Sequence, residues 1–151
     1  MGRTRAFRTR IDLPLARERL FPFFADAVNL QVITPPELQF RIVTPLPIAM
    51  AEGAVIEYRL RLLGVPFAWV TRITAWNPPQ EFVDEQLEGP YRKWIHKHLF
   101  VETSEGTRMH DAVTYELPLY PVGELAAPLV HLQIRRIFAY RARALKRALR
   151  L

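Results

Sequence analysis

ELAAPLVHLQIRRIFAYRARALKRAL, residues 124–149, is where the hydrophobic period of this sequence changes. Ala127, His131, Ile134, Phe138, Arg141, Leu145 and Ala148 recur every three or four residues, the spacing of one long amphipathic helix. Pro128 falls near its start, where it either sets the first turn or kinks the rod. No acid follows Glu124, while Arg135, Arg136, Arg141, Arg143, Lys146, Arg147 and Arg150 crowd the tail. A basic run of this kind is either a solvated outer face or a weak contact for an anionic membrane surface or nucleic acid. No zinc-finger or helix-turn-helix pattern accompanies it, so nucleic acid is not an expected partner.

Upstream of that helix the period is two. RAFRTRID (5–12) sets Phe7, Thr9 and Ile11 on one face. LQFRIVT (38–44) alternates Leu38, Phe40 and Ile42, and AVIEYRLRL (54–62) aligns Ile56, Tyr58, Leu60 and Leu62. FAWVTRITAW (67–76), EFVDEQL (81–87), YRKWIHKHLF (91–100) and TRMHDAVTYEL (107–117) continue the series. The connections hold Gly64-Val65-Pro66, Asn77-Pro78-Pro79, Glu88-Gly89-Pro90 and Ser104-Glu105-Gly106, short turns that join antiparallel neighbours. Only between the first and second of these segments does a helical period intervene. LARERLFPFFAD (15–26) spaces Leu20, Phe23 and Phe24 three and four apart. Asp26 can cap a second short helix, AVNLQVIT (27–34), which Pro35-Pro36 must stop. The order is strand, two short helices, six strands, long helix. A seven-stranded antiparallel sheet curled around one long helix is an α+β architecture, and it leaves a space between sheet and helix.

Length and composition bound the answer further. A chain of 151 residues suits a single domain, residues 1–151, and half of it is hydrophobic. No apolar run approaches the ~18 residues a bilayer span needs. The start, MGRTRAFRTRIDL, is basic but lacks the apolar stretch of a signal peptide. The absence of cysteine excludes disulfides, thiolate metal ligands and a Cys nucleophile, and fits a cytoplasmic location. Ser104, the only serine, lies in a turn, with no Gly-x-Ser-x-Gly elbow. Neither a glycine-rich phosphate loop nor a dinucleotide fingerprint occurs. Of the common chemistries, proton transfer alone keeps a foothold.

Taken in order, these pieces resemble the START-like superfamily of birch-pollen-allergen folds, the helix-grip or SRPBCC proteins, and within it the bacterial polyketide cyclase/dehydrase-like ligand-binding proteins. The resemblance is carried by Asn29-Leu30, Thr34-Pro35-Pro36, Gly53 with Ile56 and Tyr58, and Gly64-Val65-Pro66. It continues through Trp69-Val70-Thr71-Arg72-Ile73, Trp76-Asn77-Pro78-Pro79, Phe82-Val83-Asp84-Glu85-Gln86, Gly89-Pro90-Tyr91, Trp94-Ile95-His96-Lys97-His98, and Asp111 with Tyr115. It implies a deep, mostly apolar cavity between the sheet and the C-terminal helix that holds a hydrophobic or aromatic molecule. The fold hosts carriers, receptors and cyclases alike, so function must be argued from the site.

Alternation names the side chains that would line that space. Phe82, Asp84 and Gln86 share a face, as do Trp94, His96, His98 and Phe100, and Met109, Asp111, Val113 and Tyr115. If the three strands are neighbours, Asp84, Gln86, His96, His98, Asp111 and Tyr115 make a polar patch on an aromatic wall. A buried carboxylate is costly unless paired, and an imidazole is a natural partner. Three readings remain open: a satisfied polar network, a ligand-recognition spot, or an acid–base site built on His96, His98 and Asp111. Tyr58, Trp69 and Phe138 are further lining residues, and their alternative is plain core packing. His131 falls on the apolar stripe and is expected at the cavity or its rim. His110 is out of step with Met109 and Asp111 and is expected to face solvent. His-x-His on a strand aims two nitrogens the same way, and either aspartate offers a third ligand. No further ligand motif appears, so no metal or other cofactor is expected. The expected function is binding of a lipid-, quinone- or polyketide-like molecule as carrier or sensor. The alternative is a cyclase or dehydratase acting in the same cavity.

Overall fold

The computed structural model describes residues 2–151. β1 (Thr4–Leu13) is followed by α1 (Arg17–Phe24), α2 (Asn29–Val32) and a 3-10 turn at Pro36–Leu38. Then come β2 (Arg41–Ile42), β3 (Val55–Leu62), β4 (Val65–Asn77), β5 (Glu81–Glu88), β6 (Lys93–Thr103) and β7 (Gly106–Glu116). A second 3-10 turn at Val122–Ala126 leads into α3 (Ala127–Ala148). The seven strands form one antiparallel sheet in the order β1-β7-β6-β5-β4-β3-β2. Consecutive strands pair from β2 to β7, and β1 closes the far edge against β7. This is the expected helix-grip layout, an α+β fold with two short helices after the first strand.

Local chemistry explains most boundaries. Leu63 and Gly64 both take positive φ, 52° and 80°, the signature of a two-residue type I′ turn between β3 and β4. The side-chain amide of Gln86 spans the turn between β5 and β6. Its Nε2 donates to the Tyr91 carbonyl at 2.7 Å, and its Oε1 accepts from the Tyr91 N–H at 3.2 Å. Two register shifts on the β4–β5 ladder, at Val70/Thr71 and Ile73/Ala75, bend the sheet. Pro128 occupies the first turn of α3, where its missing N–H costs nothing, so the helix is not kinked there.

Three elements differ from their sequence-based expectation. β2 keeps only two residues of the 38–44 run. Leu38 ends a 3-10 turn, Gln39 adopts a left-handed conformation with φ 48°, and Pro45 and Pro47 follow. α2 is one turn long rather than eight residues. The Asp26 carboxylate accepts from the Val28 N–H at 3.1 Å, a turn preceding α2 rather than its cap. α1 begins at Arg17 and carries Pro22 within it.

The core has two parts. Leu20, Phe21, Phe24, Phe82, Phe100, Met109 and Leu145 form one, under α1 and the C-terminal half of α3. Leu60, Trp69, Tyr91, Tyr115, Ile134 and Phe138 belong to the other, toward the N-terminal half of α3. No helix among the described residues is long and apolar enough to cross a membrane.

Candidate functional site

A cavity of about 160 Å³ lies where the two core clusters meet, between the concave face of the sheet and α3. Its wall is mostly apolar: Phe24, Leu60, Ile73, Phe82, Trp94 and Phe138 are representative. Against that wall stand Tyr58, Thr71, Asp84, His96, His98 and Arg141.

Pairing in the sheet sets the polar group. β5, β6 and β7 are neighbours, with Asp84 opposite His96 and His98 opposite Asp111. The side chains bond along the diagonals instead. His98 Nε2 lies 2.8 Å from Asp84 Oδ2, and His96 Nε2 lies 2.7 Å from Asp111 Oδ1. The two imidazoles stack with centroids 3.7 Å apart, and Phe82 stacks on the outer face of His98 at 3.8 Å. Arg141 reaches in from α3. Its Nη2 is 3.3 Å from His98 Nδ1 and 4.0 Å from Asp111 Oδ1, and its guanidinium lies 5.5 Å from the Phe24 ring and 5.8 Å from the Phe138 ring.

These contacts fix proton positions. A guanidinium only donates, so His98 Nδ1 accepts from Arg141 and Nε2–H donates to Asp84. His96 donates Nε2–H to Asp111. Its Nδ1 makes no hydrogen bond among the described residues, and the nearest carboxylate oxygen, Asp84 Oδ2, is 4.0 Å away. Burial pushes His96 down to about 4, so the ring is neutral near pH 7. Burial also works against charge on Asp111, but Arg141 and the hydrogen bond from His96 outweigh it and hold the carboxyl well below the usual range. Asp84 is likewise pushed up by burial and held down, chiefly by the bond from His98. Two carboxylates and one guanidinium remain, a single net negative charge beside an apolar hollow. The Tyr58 hydroxyl is raised well above its ordinary value, first by burial and then by Asp84.

Eight of the twelve sequence-predicted lining residues do line the cavity: Tyr58, Trp69, Phe82, Asp84, Trp94, His96, His98 and Phe138. Four do not. Gln86 is on the expected face, but its amide is held by the Tyr91 backbone. Asp111 sits behind the imidazoles, reaching the cavity only through them. Tyr115 is 2% exposed and packs on Tyr91 and Trp94. His131 is exposed and meets Phe7 edge-on at 6.1 Å. It lies roughly 60° around the helix from Ile134, on the flank of the buried stripe. His110 lies on the opposite face of β7, as its register requires. Arg141 is the site residue that sequence reasoning passes over, because it counts with the basic tail. Its signal is its place in the apolar stripe between Phe138 and Leu145.

Asp84, His96 and His98 also bring three ligating atoms within 4.8 Å of one another. In the present geometry a proton bridges Asp84 and His98, and Arg141 already supplies the local positive charge. A metal would have to displace the first and lie close to the second. The arrangement therefore fits a hydrogen-bonded polar spot better than a metal centre. Trp69 adds a further donor. Its indole Nε1 is buried in the cavity wall with no hydrogen-bond partner among the described residues.

No family model and no curated protein matches this sequence. Solved structures do match its fold. The TTHA0849 protein of Thermus thermophilus is 19% identical with a TM-score of 0.71, covering 95% of each chain. Ara h 8.0201 is 16% identical with a TM-score of 0.63, covering 94% of this chain and 97% of its own. The major latex-like protein 151 of Panax ginseng is 13% identical with a TM-score of 0.68, covering 97% and 98%. The chain thus has the fold of the birch-pollen-allergen type that the order of its motifs resembles.

Proposed function

We propose that the protein binds a hydrophobic or aromatic small molecule in the cavity between sheet and α3, as a carrier or sensor. The observation that carries this reading is the pairing of an apolar cavity with a polar spot that is itself buried and hydrogen-bonded. Small-molecule sites are commonly built this way, with a few convergent polar groups on a greasy wall. The volume narrows the class. An apolar cavity of about 150 Å³ takes one benzene ring, so this conformation suits a one- or two-ring aromatic, such as a quinone, better than a long acyl chain. Charge narrows it again. A carboxylate ligand would meet Asp84 and the net negative charge of the polar spot, whereas a neutral ligand can accept from the free indole N–H of Trp69 and donate to His96 Nδ1.

Titration with 1,4-naphthoquinone and, separately, oleate tests the reading through quenching of Trp69 and Trp94. Saturable quenching by the quinone, weakened about tenfold or more in Trp69→Phe, is expected. Absence of saturable binding by any one- or two-ring aromatic would remove the proposal.

A second reading, acid–base catalysis such as cyclisation or dehydration, draws on one feature. His96 has a buried carboxylate behind Nε2 and a free Nδ1, the arrangement of a general base. Its depressed pKa of about 4 makes it a weak base near neutrality, which is why binding is preferred. Solvent deuterium exchange into a bound 1,3-diketone decides between them. Exchange abolished by His96→Gln would favour catalysis, and exchange at the uncatalysed rate would favour binding.

A further inference from the structure

The largest concentration of exposed apolar side chains is nowhere near the cavity's polar spot. It runs from the loop after β7 into the first turns of α3. Leu119 is 80% exposed, Tyr120 52%, Val122 68%, Leu125 85%, Leu129 53% and Leu132 59%. Leu129 and Leu132 lie on the side of α3 that faces away from Ile134 and Phe138, and Leu125 precedes them in the 3-10 turn. Internal packing does not explain this loop. It is well fixed, however: the Gly123 N–H donates to the Leu119 carbonyl at 2.8 Å, and Arg5 pairs with Glu124. A rigid loop that keeps several leucines in water is a docking surface.

We infer that this end of the molecule docks on an anionic membrane surface. The charges around the patch identify the occupant. Most of its acids are already engaged: Glu116 by Thr4 and Arg92, Glu124 by Arg5, and Glu37 by Arg136. Its remaining cations are not. Arg135, three residues beyond Leu132, forms no ion pair among the described residues, and neither do Arg3 and Lys93, which lie beside Glu116 at the edge of the β1–β7–β6 ladders. Apolar side chains ringed by free cations match a bilayer interface with anionic headgroups, where the leucines enter the acyl boundary and the cations meet phosphate. A second copy of the chain fits worse, because face-to-face packing would bring like-charged rims together on a protein of net charge +6. This places the contact at the start of α3 rather than along the whole basic helix expected from sequence. Arg143, Lys146, Arg147 and Arg150 have no comparable cluster of exposed leucines beside them. A surface of this kind suits a protein that exchanges a hydrophobic ligand with a bilayer, though the docking stands whether or not the cavity is filled.

Co-sedimentation with phosphatidylcholine vesicles, with and without about 30% phosphatidylglycerol, at about 50 mM salt tests it. The full chain should bind the anionic vesicles and not the neutral ones. Leu125→Gln combined with Leu129→Gln should lower the bound fraction at least tenfold while leaving the thermal transition in place. Because the chain has no cysteine, Leu125→Cys carries a single polarity-sensitive dye. The dye should shift to the blue on anionic vesicles, while the same dye at Glu105→Cys, in the turn at the opposite end of the sheet, should not. No sedimentation with anionic vesicles, an equal response at both labels, or a dimer that the double variant converts to monomer would each overturn the inference.

Discussion

At the scale of single residues, the polar spot is governed by where protons sit. His96 is neutral because burial disfavours its cation, and Asp111 is ionised because Arg141 and the N–H of His96 support its charge. The consequence for stability has a definite sign. Unfolded, His96 titrates at its ordinary value of 6.5, and folded it titrates at about 4. Between those values the unfolded chain holds the extra proton, so acid favours unfolding. The gap corresponds to about 3 kcal/mol lost as pH falls from about 6.5 to 4. Asp84 and Asp111 act with the same sign in a lower window. Their folded values lie below 3.8, so their stabilisation is present above that and is lost only at lower pH. Urea unfolding at several pH values between 7 and 4 should therefore show most of its slope in the wild type and less than about 1 kcal/mol in His96→Gln, which keeps a donor toward Asp111. Parallel curves for the two proteins would mean that His96 is not the buried titrating group. The same spot shows what is legible in sequence. Alternation within β5, β6 and β7 places Asp84, His96, His98 and Asp111 together, because a strand's period of two is unforgiving. It cannot say that the bonds run diagonally, or that Asp111 stands behind the rings, because those depend on rotamers.

Among the elements, the legible parts are those with strong period and clear punctuation. β3 to β7 and α3 fall within a few residues of expectation because each carries several in-phase positions between firm stops. The 38–44 run does not hold as a strand because four flanking prolines and a left-handed Gln39 dominate a weak alternation. The period of the long helix gives the right inward line but one flank too wide, which is how His131 enters the lining set, while Arg141, on the same line, is counted with the basic tail instead. Turns are where the elements are most vulnerable, and two glycines separate the causes. Gly106 opens β7 with φ 148°, and a Cβ there would lie 2.2 Å from the Leu13 carbonyl oxygen and 2.6 Å from the Leu15 nitrogen, both backbone. Gly53 has φ 88° with nothing within 4 Å of the same atom. Gly53→Ala should cost about 1 kcal/mol, the penalty of conformation alone. Gly106→Ala adds a clash with chain that cannot move without breaking the β1–β7 ladder, and should cost about 3 kcal/mol or more. Thermal melts of the two variants check this, and equal losses would mean that the β7 turn yields more readily than its packing implies.

At the scale of the whole molecule, the hollow itself is the feature to test, because both the binding and the catalytic reading depend on it. A folded chain normally packs its interior to crystal-like density. Here a curved sheet with two bulged registers cannot lie flat on a straight helix, and the side chains that face the gap leave about 160 Å³ unfilled. Sequence can foresee the gap from the element order, but not its size, which depends on how far β4 and β5 bend. Leu60, 6% exposed on β3, points into it. In a solid core, Leu→Phe overpacks and costs about 1–3 kcal/mol. In this cavity the added ring has space and gains contacts that the leucine lacks, so Leu60→Phe should leave stability within about 0.5 kcal/mol of wild type, or raise it. The same ring occupies the place of a ligand, so naphthoquinone binding should weaken at least tenfold. Retained stability with lost binding is the pattern only a true cavity gives. A large loss of stability would show the interior to be filled, and unchanged binding would put the ligand elsewhere.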